Sequence, residues 1–395
     1  MQGVLDGIRV LDFGRFIAGP YCGQLLADFG ADVIRMDKVG GSEDRFLLPV
    51  AETGEGPLFF QINRNKKSMT LDSGQPEGRK VLEKLIKTTD VVVANLPWEI
   101  LPKLGLDYET LKSIKPDIIL ATMSTFGHEG PYARRVGFDG IAQAMSGSMY
   151  MTGWEDKPVR AASPYCDFGT ALVSAYGIML ALRHRDKTGE GQVVEGTLLR
   201  TGLTFSNAMV IEQALTKPDR IPTGNLAQTA GPADVYKAKD GTILVNVISN
   251  PLFRRWARLM GEEEQWTTDP RFKDDVSRGD HGPILSERMQ RWVGERTVEE
   301  AITALEGARI PAGPVLKPQQ VLEDEHVIAT GMLHPTEFPG LDGLAPIMES
   351  QVKLSQTPGE IRHRAPLSGE HTDEVLNELG LTEEQIAGLR DNGII

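Results

Sequence analysis

IRVLDFGRFIAGPYCGQLLADFGADVIRMDK, residues Ile8 to Lys38, sets the reading of the whole chain. Ile8 to Asp12 is a short apolar run and reads as a buried strand. Arg15 to Pro20 is a turn, Tyr21 to Phe29 a short helix, and Gly30 its C-cap. Ala31 to Met36 is the next strand. The result is a βαβ unit ending in Asp37-Lys38, the opening of a nucleotide-binding type of sheet. The first turn is FGRFIAGP rather than G-x-G-x-x-G. The glycines that let a dinucleotide pyrophosphate approach the backbone are therefore missing.

Downstream the alternation continues. Pro76 opens a helix to about Lys87, with Leu82, Leu85 and Ile86 on its inner face. Asp90 to Asn95 is a strand, Tyr108 to Ile114 a helix, and Asp117 to Thr122 a strand. Such repetition predicts a mostly parallel sheet flanked by helices. A loop, Ser124 to Tyr132, leads to a helix over Phe138 to Ser148. A long buried helix then carries Phe168, Ala171, Leu172, Ala175, Tyr176, Met179, Leu180 and Leu182 at helical spacing, ending near His184. Lys187 to Gly191 is a turn and Gln192 to Glu195 a strand. The first ~200 residues thus have the size of one doubly wound domain. Composition changes over Thr216 to Gly231, a linker signal. Val235 to Val247 reads as a hairpin turning at Lys239-Asp240-Gly241. Thr297 with Glu300 predicts a capping box, and Ile310 to Leu316 an extended segment, giving a smaller α+β domain. After Gln319 the chain is loop-rich until Gly369. Two short helices follow, the second capped by Thr382 and Gln385.

Composition excludes several function classes. A net charge of −13 leaves no pervasive basic field for nucleic acid. Two cysteines, Cys22 and Cys166, provide neither a disulfide framework nor a metal cluster, so a reducing cytoplasm is expected. The seven histidines contain no i,i+4 pair, and no zinc site is expected. The first residues lack the pattern of a signal peptide. No apolar run approaches the ~20 residues of a membrane span. No nucleophile elbow and no P-loop occur.

Candidate chemistry gathers at SPYCDFG, Ser163 to Gly169. Pro164 fixes the chain, Tyr165 and Cys166 follow, and a single acid, Asp167, sits where the long helix begins. Two readings stand: an N-cap for free N–H groups, or a carboxylate at a helix N-terminus, ionised at neutral pH and aimed into a pocket. Arg35 and Lys38, Lys66 and Lys67, Lys103, and Arg134 with Arg135 are candidate anion-binding positions, or solvated surface charges. Those just past strand C-terminal ends carry more weight, because ligands of open α/β sheets bind there. His128 lies among turn residues and is expected to be exposed. From the residues alone the chain is a soluble α/β enzyme or binding protein, with a phosphorylated ligand compatible.

Several stretches together go further. The Ile8–Lys38 unit, GFDGIAQAMSGSMYMTG, SPYCDFGTAL, KTGEGQ, IPAGPV and the tail APLSGEHTDEVLNELGLTEEQI resemble the class III CoA-transferase family in order and spacing, end to end. That family also contains the formyl-CoA and carnitine CoA-transferases and the α-methylacyl-CoA racemases. The resemblance implies an α/β fold with a Rossmann-like large domain built from both chain ends, residues 1–200 and 330–395. A small α+β domain over 225–320 would lie between them, with linkers at 201–224 and 321–329. It implies an interlocked homodimer, acyl-CoA and carboxylic acid substrates, no permanently bound cofactor, and no nucleic-acid or membrane partner. Asp167 matches the family nucleophile. Phe16, Ala18, Lys38, Leu71, Asn95, Leu96, Lys103 and Leu104 match positions that hold the nucleotide and pantetheine of CoA. Asp139 matches an acidic or polar residue near the nucleophile. Arg135 joins the coenzyme set, and Arg15 with Arg134 or Arg135 is a candidate for a second carboxylate, hence a dicarboxylic acid such as succinate.

Departures from the pattern select a branch. Where racemases carry a His in the glycine loop, this chain has Phe138, and where they carry a Glu before Pro it has Asn250. Removing and returning an α-proton needs bases on both faces. The transferase branch is therefore expected, with epimerisation or an inactive acyl-CoA binder as alternatives. No run of glycines that would cover the site occurs; the nearest segment is Gly224 to Gly231. The expected chemistry is CoA transfer through covalent Asp167 adducts, with N–H groups at the helix start as oxyanion donors. Burial by Tyr165 and Phe168 would raise the Asp167 pKa and the helix dipole would lower it.

Overall fold

A computed structural model describes residues 3–395. The chain forms two compact units, one from the residues up to Ser148 with Ala161–Ile211 and Ile328–Ile395, the other from Met149–Arg160 and Glu212–Val327. Met149–Arg160, which the sequence reading leaves in the first domain, groups with the second.

In the first unit six parallel strands form one sheet. They are β1 (Arg9–Asp12), β2 (Asp32–Asp37), β3 (Lys66–Thr70), β4 (Val91–Ala94), β5 (Ile119–Ser124) and β6 (Val193–Thr197). Their spatial order is β3-β2-β1-β4-β5-β6. The order reverses between β1 and β4, where open parallel sheets bind ligands beyond their strand C-termini. Strand side chains alternate between faces. Val10, Val33, Val91 and Ile119 pack under α1 (Ala18–Asp28) and the long helix Tyr165–Thr188. Leu11, Ile34, Met69, Val92 and Leu120 pack on the other face against Leu82, Leu85 and Ile86 and against Val375, Leu376 and Ile386 of the C-terminal helices. Both faces being covered explains why the strands read as continuous apolar runs. Each fully buried Leu or Ile contributes about 1.5–3 kcal/mol.

Between α1 and the long helix lie α2 (Pro57–Asn63), α3 (Pro76–Lys87), α4 (Leu101–Leu104), α5 (Tyr108–Ile114), α6 (Asp139–Met145) and α7 (Ser148–Met151). The long helix is α8, and α9 spans Leu198–Thr216. The single expected helix over Phe138–Ser148 is broken after Met145, because Gly147 turns left-handed (φ 82°). Helix α8 runs past His184 to Thr188 and closes on left-handed Gly189 (φ 77°). It is only half buried. Ala171, Ala175, Ile178 and Leu182 face the core, while Leu172, Val173, Tyr176, Met179 and Leu180 are exposed. By length and composition α8 is apolar enough to cross a membrane, and half of its most apolar stretch is buried in this domain.

Strand β3 and helix α2 escape the sequence reading because KKSMT looks like surface. Lys66 is instead buried, its ammonium donating to Asp12 Oδ2 (2.7 Å), Pro20 O (2.6 Å) and Asn63 Oδ1 (2.9 Å). The stretch after Gln319, read as loop, contains an antiparallel pair, Leu333–Thr336 with Ala345–Met348.

The second unit has a three-stranded antiparallel sheet, β7 (Ala233–Lys237), β8 (Thr242–Asn246) and β9 (Ala312–Pro314). Its core gathers Tyr236, Phe253, Trp256, Trp266, Phe272 and Trp292. The Thr297/Glu300 capping box is present with both reciprocal hydrogen bonds.

Candidate active site

Two features converge at the C-terminal edge of the sheet: the start of α8 and the turn after β1. At the start of α8 the backbone N-cap is Pro164, and the side chain that caps the helix comes from elsewhere. Asp139, the first residue of α6, accepts hydrogen bonds at Oδ1 from the N–H groups of Cys166 (2.8 Å) and Asp167 (3.1 Å). Gln143 fixes the other oxygen, donating through Nε2 to Asp139 Oδ2 (2.5 Å), and its own carbonyl accepts from Ala161 N (3.0 Å). Asp139 is nearly buried. Asp167 is thus not the cap. Among the described residues its carboxylate accepts no hydrogen bond and pairs with no cation. Burial pushes its pKa up, the Asp139 charge pushes it further, and it reaches about 7. The expected oxyanion donors are occupied, since Phe168 N also donates, to Pro164 O (3.1 Å). Neighbouring Cys166 is fully buried, and burial followed by Asp139 pushes its thiol up to about 12, so it is inert. The Tyr165 hydroxyl hydrogen-bonds Ser148 Oγ, and the Phe168 ring meets Tyr21 edge-on at 4.9 Å.

The turn after β1 is clasped to the loop after β4. Asn95 Oδ1 accepts from Arg15 N (2.7 Å), and Asn95 Nδ2 donates to Arg15 O (2.7 Å). A Cβ on Gly14 would stand 2.7 Å from the Gly19 backbone, so only glycine fits there. Phe16 has φ 60°, a left-handed conformation unusual for a bulky residue. Its ring meets Phe138 edge-on at 5.4 Å. Phe138 precedes Asp139, so this one contact joins the turn to the helix that caps α8.

The sequence profile of CoA-transferase family III matches residues 5–372. The chain belongs to CoA-transferase family III. It is 34% identical to the succinyl-CoA–D-citramalate CoA-transferase of Chloroflexus aurantiacus, covering 99% of this chain and 98% of that one. With the formyl-CoA:oxalate CoA-transferase of Rhodopseudomonas palustris it shares 33% identity over 100% and 98% of the two chains. The solved CAIB/BAIF family protein from Brucella suis superposes with a TM-score of 0.84 at 29% identity, covering 96% of this chain and 100% of that one. The protein is accordingly an enzyme of the family III CoA-transferase class, a mixed α/β chain around a parallel sheet.

In the transferase, four consecutive strand ends gather most of the expected coenzyme positions. Phe16 and Ala18 follow β1, Lys38 follows β2, Leu71 follows β3, and Asn95 and Leu96 follow β4. Lys103 and Leu104 close α4 just beyond. Leu71 is buried and Leu96 and Leu104 partly so, packed in the cluster under the sheet. Lys38 and Lys103 are exposed; Lys38 pairs with Glu43 (3.1 Å), and the Lys103 carbonyl accepts from Arg79 Nη2 (2.6 Å). Arg135 lies apart, in the loop after β5, stacked on Tyr132 at 3.9 Å.

Four expectations need correction. Arg15 is not free for a substrate carboxylate, because its guanidinium donates to Phe13 O, Gly14 O and Met36 O at 2.8–3.1 Å. Arg35 and Lys66 are buried ion-pair partners rather than anion sites. Arg134, by contrast, is exposed as a solvated charge and remains open to a ligand, its nearest acid being Glu99 at 3.9 Å. His128 is half-buried, bonded to Thr122 Oγ1 (2.9 Å) and stacked on Trp98 at 4.0 Å, and burial lowers its pKa. Gln143 and Asp44, which hold the site from behind, carry no local sequence signal.

Proposed function

We propose that the enzyme moves CoA from a donor thioester to an acceptor carboxylic acid through covalent adducts on Asp167. One observation carries this reading: Asp167 is a half-buried carboxylate on the first turn of α8, with no cation beside it among the described residues and a pKa of about 7. A structural carboxylate at such a depth is normally paired. An unpaired one costs stability and is retained where it reacts.

The steps balance without an external acid or base. A carboxylate oxygen of Asp167 attacks the donor thioester carbonyl, the C–S bond breaks, and CoA thiolate leaves an acyl-aspartyl anhydride. The thiolate attacks Asp167 Cγ, releasing the donor carboxylate and forming an aspartyl-CoA thioester. The acceptor carboxylate attacks that thioester and releases thiolate again, giving a second anhydride. The thiolate then attacks the acceptor acyl carbon and frees Asp167. Desolvation at Asp167 suits both roles: it makes the carboxylate more basic as a nucleophile and limits water at each adduct. The coenzyme is read along the strand ends, against Phe16, Ala18, Leu71, Asn95, Leu96 and Leu104, with Lys38 toward its adenosine end, Lys103 toward its phosphates, and Arg135 as a further contact.

Relatives at 33–35% identity are named for succinyl-CoA with D-citramalate, mesaconate and L-malate, which favours succinyl-CoA as donor and a small dicarboxylic acid as acceptor. Phe138 and Asn250 stand where an epimerase would carry its His and Glu bases, which weighs against epimerisation. The exposed apolar side of α8, with Phe205 and Met209 of α9, supports a second copy as its cover. A monomer by sedimentation equilibrium would overturn that dimer.

The test is incubation with succinyl-CoA and a panel of acids, followed by hydroxylamine and peptide mass mapping. A hydroxamate on the Asp167 peptide is expected. Asp167→Ala should lower turnover at least ~10⁴-fold while keeping CoA affinity. Full turnover in that variant sinks the nucleophile.

A further inference from the structure

The turn after β1 is pinned from several sides. Asn95 takes both backbone polar atoms of Arg15, and the Arg15 guanidinium takes the carbonyls of Phe13 and Gly14. The Phe16 N–H has a different partner. It donates to Asp44 Oδ2 (3.1 Å), at the one residue of the turn that is left-handed without being glycine. Asp44 is only 3% exposed, although it sits in the charged segment Ser42–Arg45. Its carboxylate is fixed from the interior, since Arg35 Nη2 donates to both oxygens (2.8 and 2.9 Å). Arg35 is in turn fixed by Asp37 Oδ1 (3.1 Å) and Asn63 Oδ1 (3.2 Å). A chain of buried charge therefore starts inside the β2 layer and ends on one strained amide. No step of the chemistry uses it. Strained backbone persists only where its surroundings over-determine it, and it collects at binding sites.

We propose that Asp44 is a positioning residue for acyl-CoA, holding Phe16 in the left-handed turn against which the coenzyme lies. The inference rests on the coenzyme reading above. Without the carboxylate the Phe16 amide relaxes to an ordinary φ, the ring leaves Phe138, and Ala18 shifts with it. Catalysis at Asp167 is untouched, so the defect is in binding.

The experiment is steady-state kinetics of Asp44→Ala, which removes the acceptor oxygen, in two backgrounds. In the otherwise native chain KM for acyl-CoA should rise about tenfold with kcat within about twofold. Phe16→Gly visits the left-handed region freely, so Asp44→Ala added to it should change KM less than about twofold. An unchanged KM in the native background, or the same rise in both, overturns the role. Should Asp44→Ala fail to fold, Phe16→Val is compared with Phe16→Gly. A β-branched residue rejects the left-handed turn, so Val should bind acyl-CoA about tenfold more weakly, and equal binding overturns the proposal. Amide exchange of residues 13–18 in the wild type, with and without CoA, separates the two layers. No protection there removes the coenzyme reading and this proposal with it. Protection with an unchanged KM in Asp44→Ala removes the positioning role alone.

Discussion

Asp37 and Asp167 are two withdrawn carboxylates of one domain that behave in opposite ways. Asp37, at the end of β2, accepts from Arg35 Nε (3.1 Å), Arg45 Nη2 (2.6 Å) and Ser68 Oγ (3.0 Å). Burial pushes its pKa up, but Arg35 and Arg45 outweigh burial and hold it far below the usual carboxylate range. Asp167 has burial and the like charge of Asp139 acting together, and it rises to about 7. Asp37 lies deeper, fully buried where Asp167 is half-buried, and yet it is the one held low, because the partners differ. Among the described residues, the domain gathers cations around the carboxylate that holds β2 and places none beside Asp167.

The largest stability effect expected from this contrast is at Asp37. Asp37→Asn strips the charge partner from two buried arginines, and such a break costs about 3–5 kcal/mol. A clear fall of the urea midpoint would be observed. An unchanged midpoint would mean that Arg35 finds enough support in Asp44 and Asn63, and the contrast would collapse.

The same substitution at Asp167 should act with the opposite sign. Its folded pKa lies above its unfolded value, so the folded state binds the extra proton. The penalty of ionising it is absent below about pH 4, grows up to about pH 7, and is complete above. At pH 8 Asp167→Asn should therefore stabilise the chain, by about 2 kcal/mol after a discount for partial exposure. At pH 4 the gain should vanish. For Asp37 the stabilisation is present above the ordinary carboxylate range and lost in acid. Stabilisation by Asp167→Asn at both pH values alike would place its origin outside ionisation.

What the sequence discloses follows the same division. The β1–α1–β2 unit and α3 are legible because apolar spacing is a local property. Strand β3 is not, since the pairing of Lys66 with Asp12, 54 residues away, hides a buried cation inside a polar-looking run. Asp167 stands out in sequence as a lone acid at a helix start, yet local rules assign it the cap. The real cap, Asp139, lies 28 residues upstream in another helix. The family pattern marks Asp139 as near the nucleophile without giving its task. Asp44 sits in Ser42–Arg45, a charged run that reads as surface until the Arg35 contact is seen. The outer face of α8 reads as core because apolar spacing does not tell which side of an all-apolar helix its own chain covers.

The finest test is the pH dependence of transfer. On the proposed mechanism Asp167 attacks as its anion, so kcat/KM should rise tenfold per pH unit below about 7 and level off above it. Asp139→Asn keeps an oxygen for the N–H groups of Cys166 and Asp167 and removes the negative charge behind them. Only the smaller of the two causes disappears, because burial is the larger. The acidic limb should therefore move to lower pH by less than about one unit, equivalent to less than about 1.4 kcal/mol, with the plateau rate preserved. A shift upward would mean that Asp139 supports ionisation instead of opposing it. No shift, with the plateau falling, would make its work at α8 geometric alone, and burial would then account by itself for the rise at Asp167.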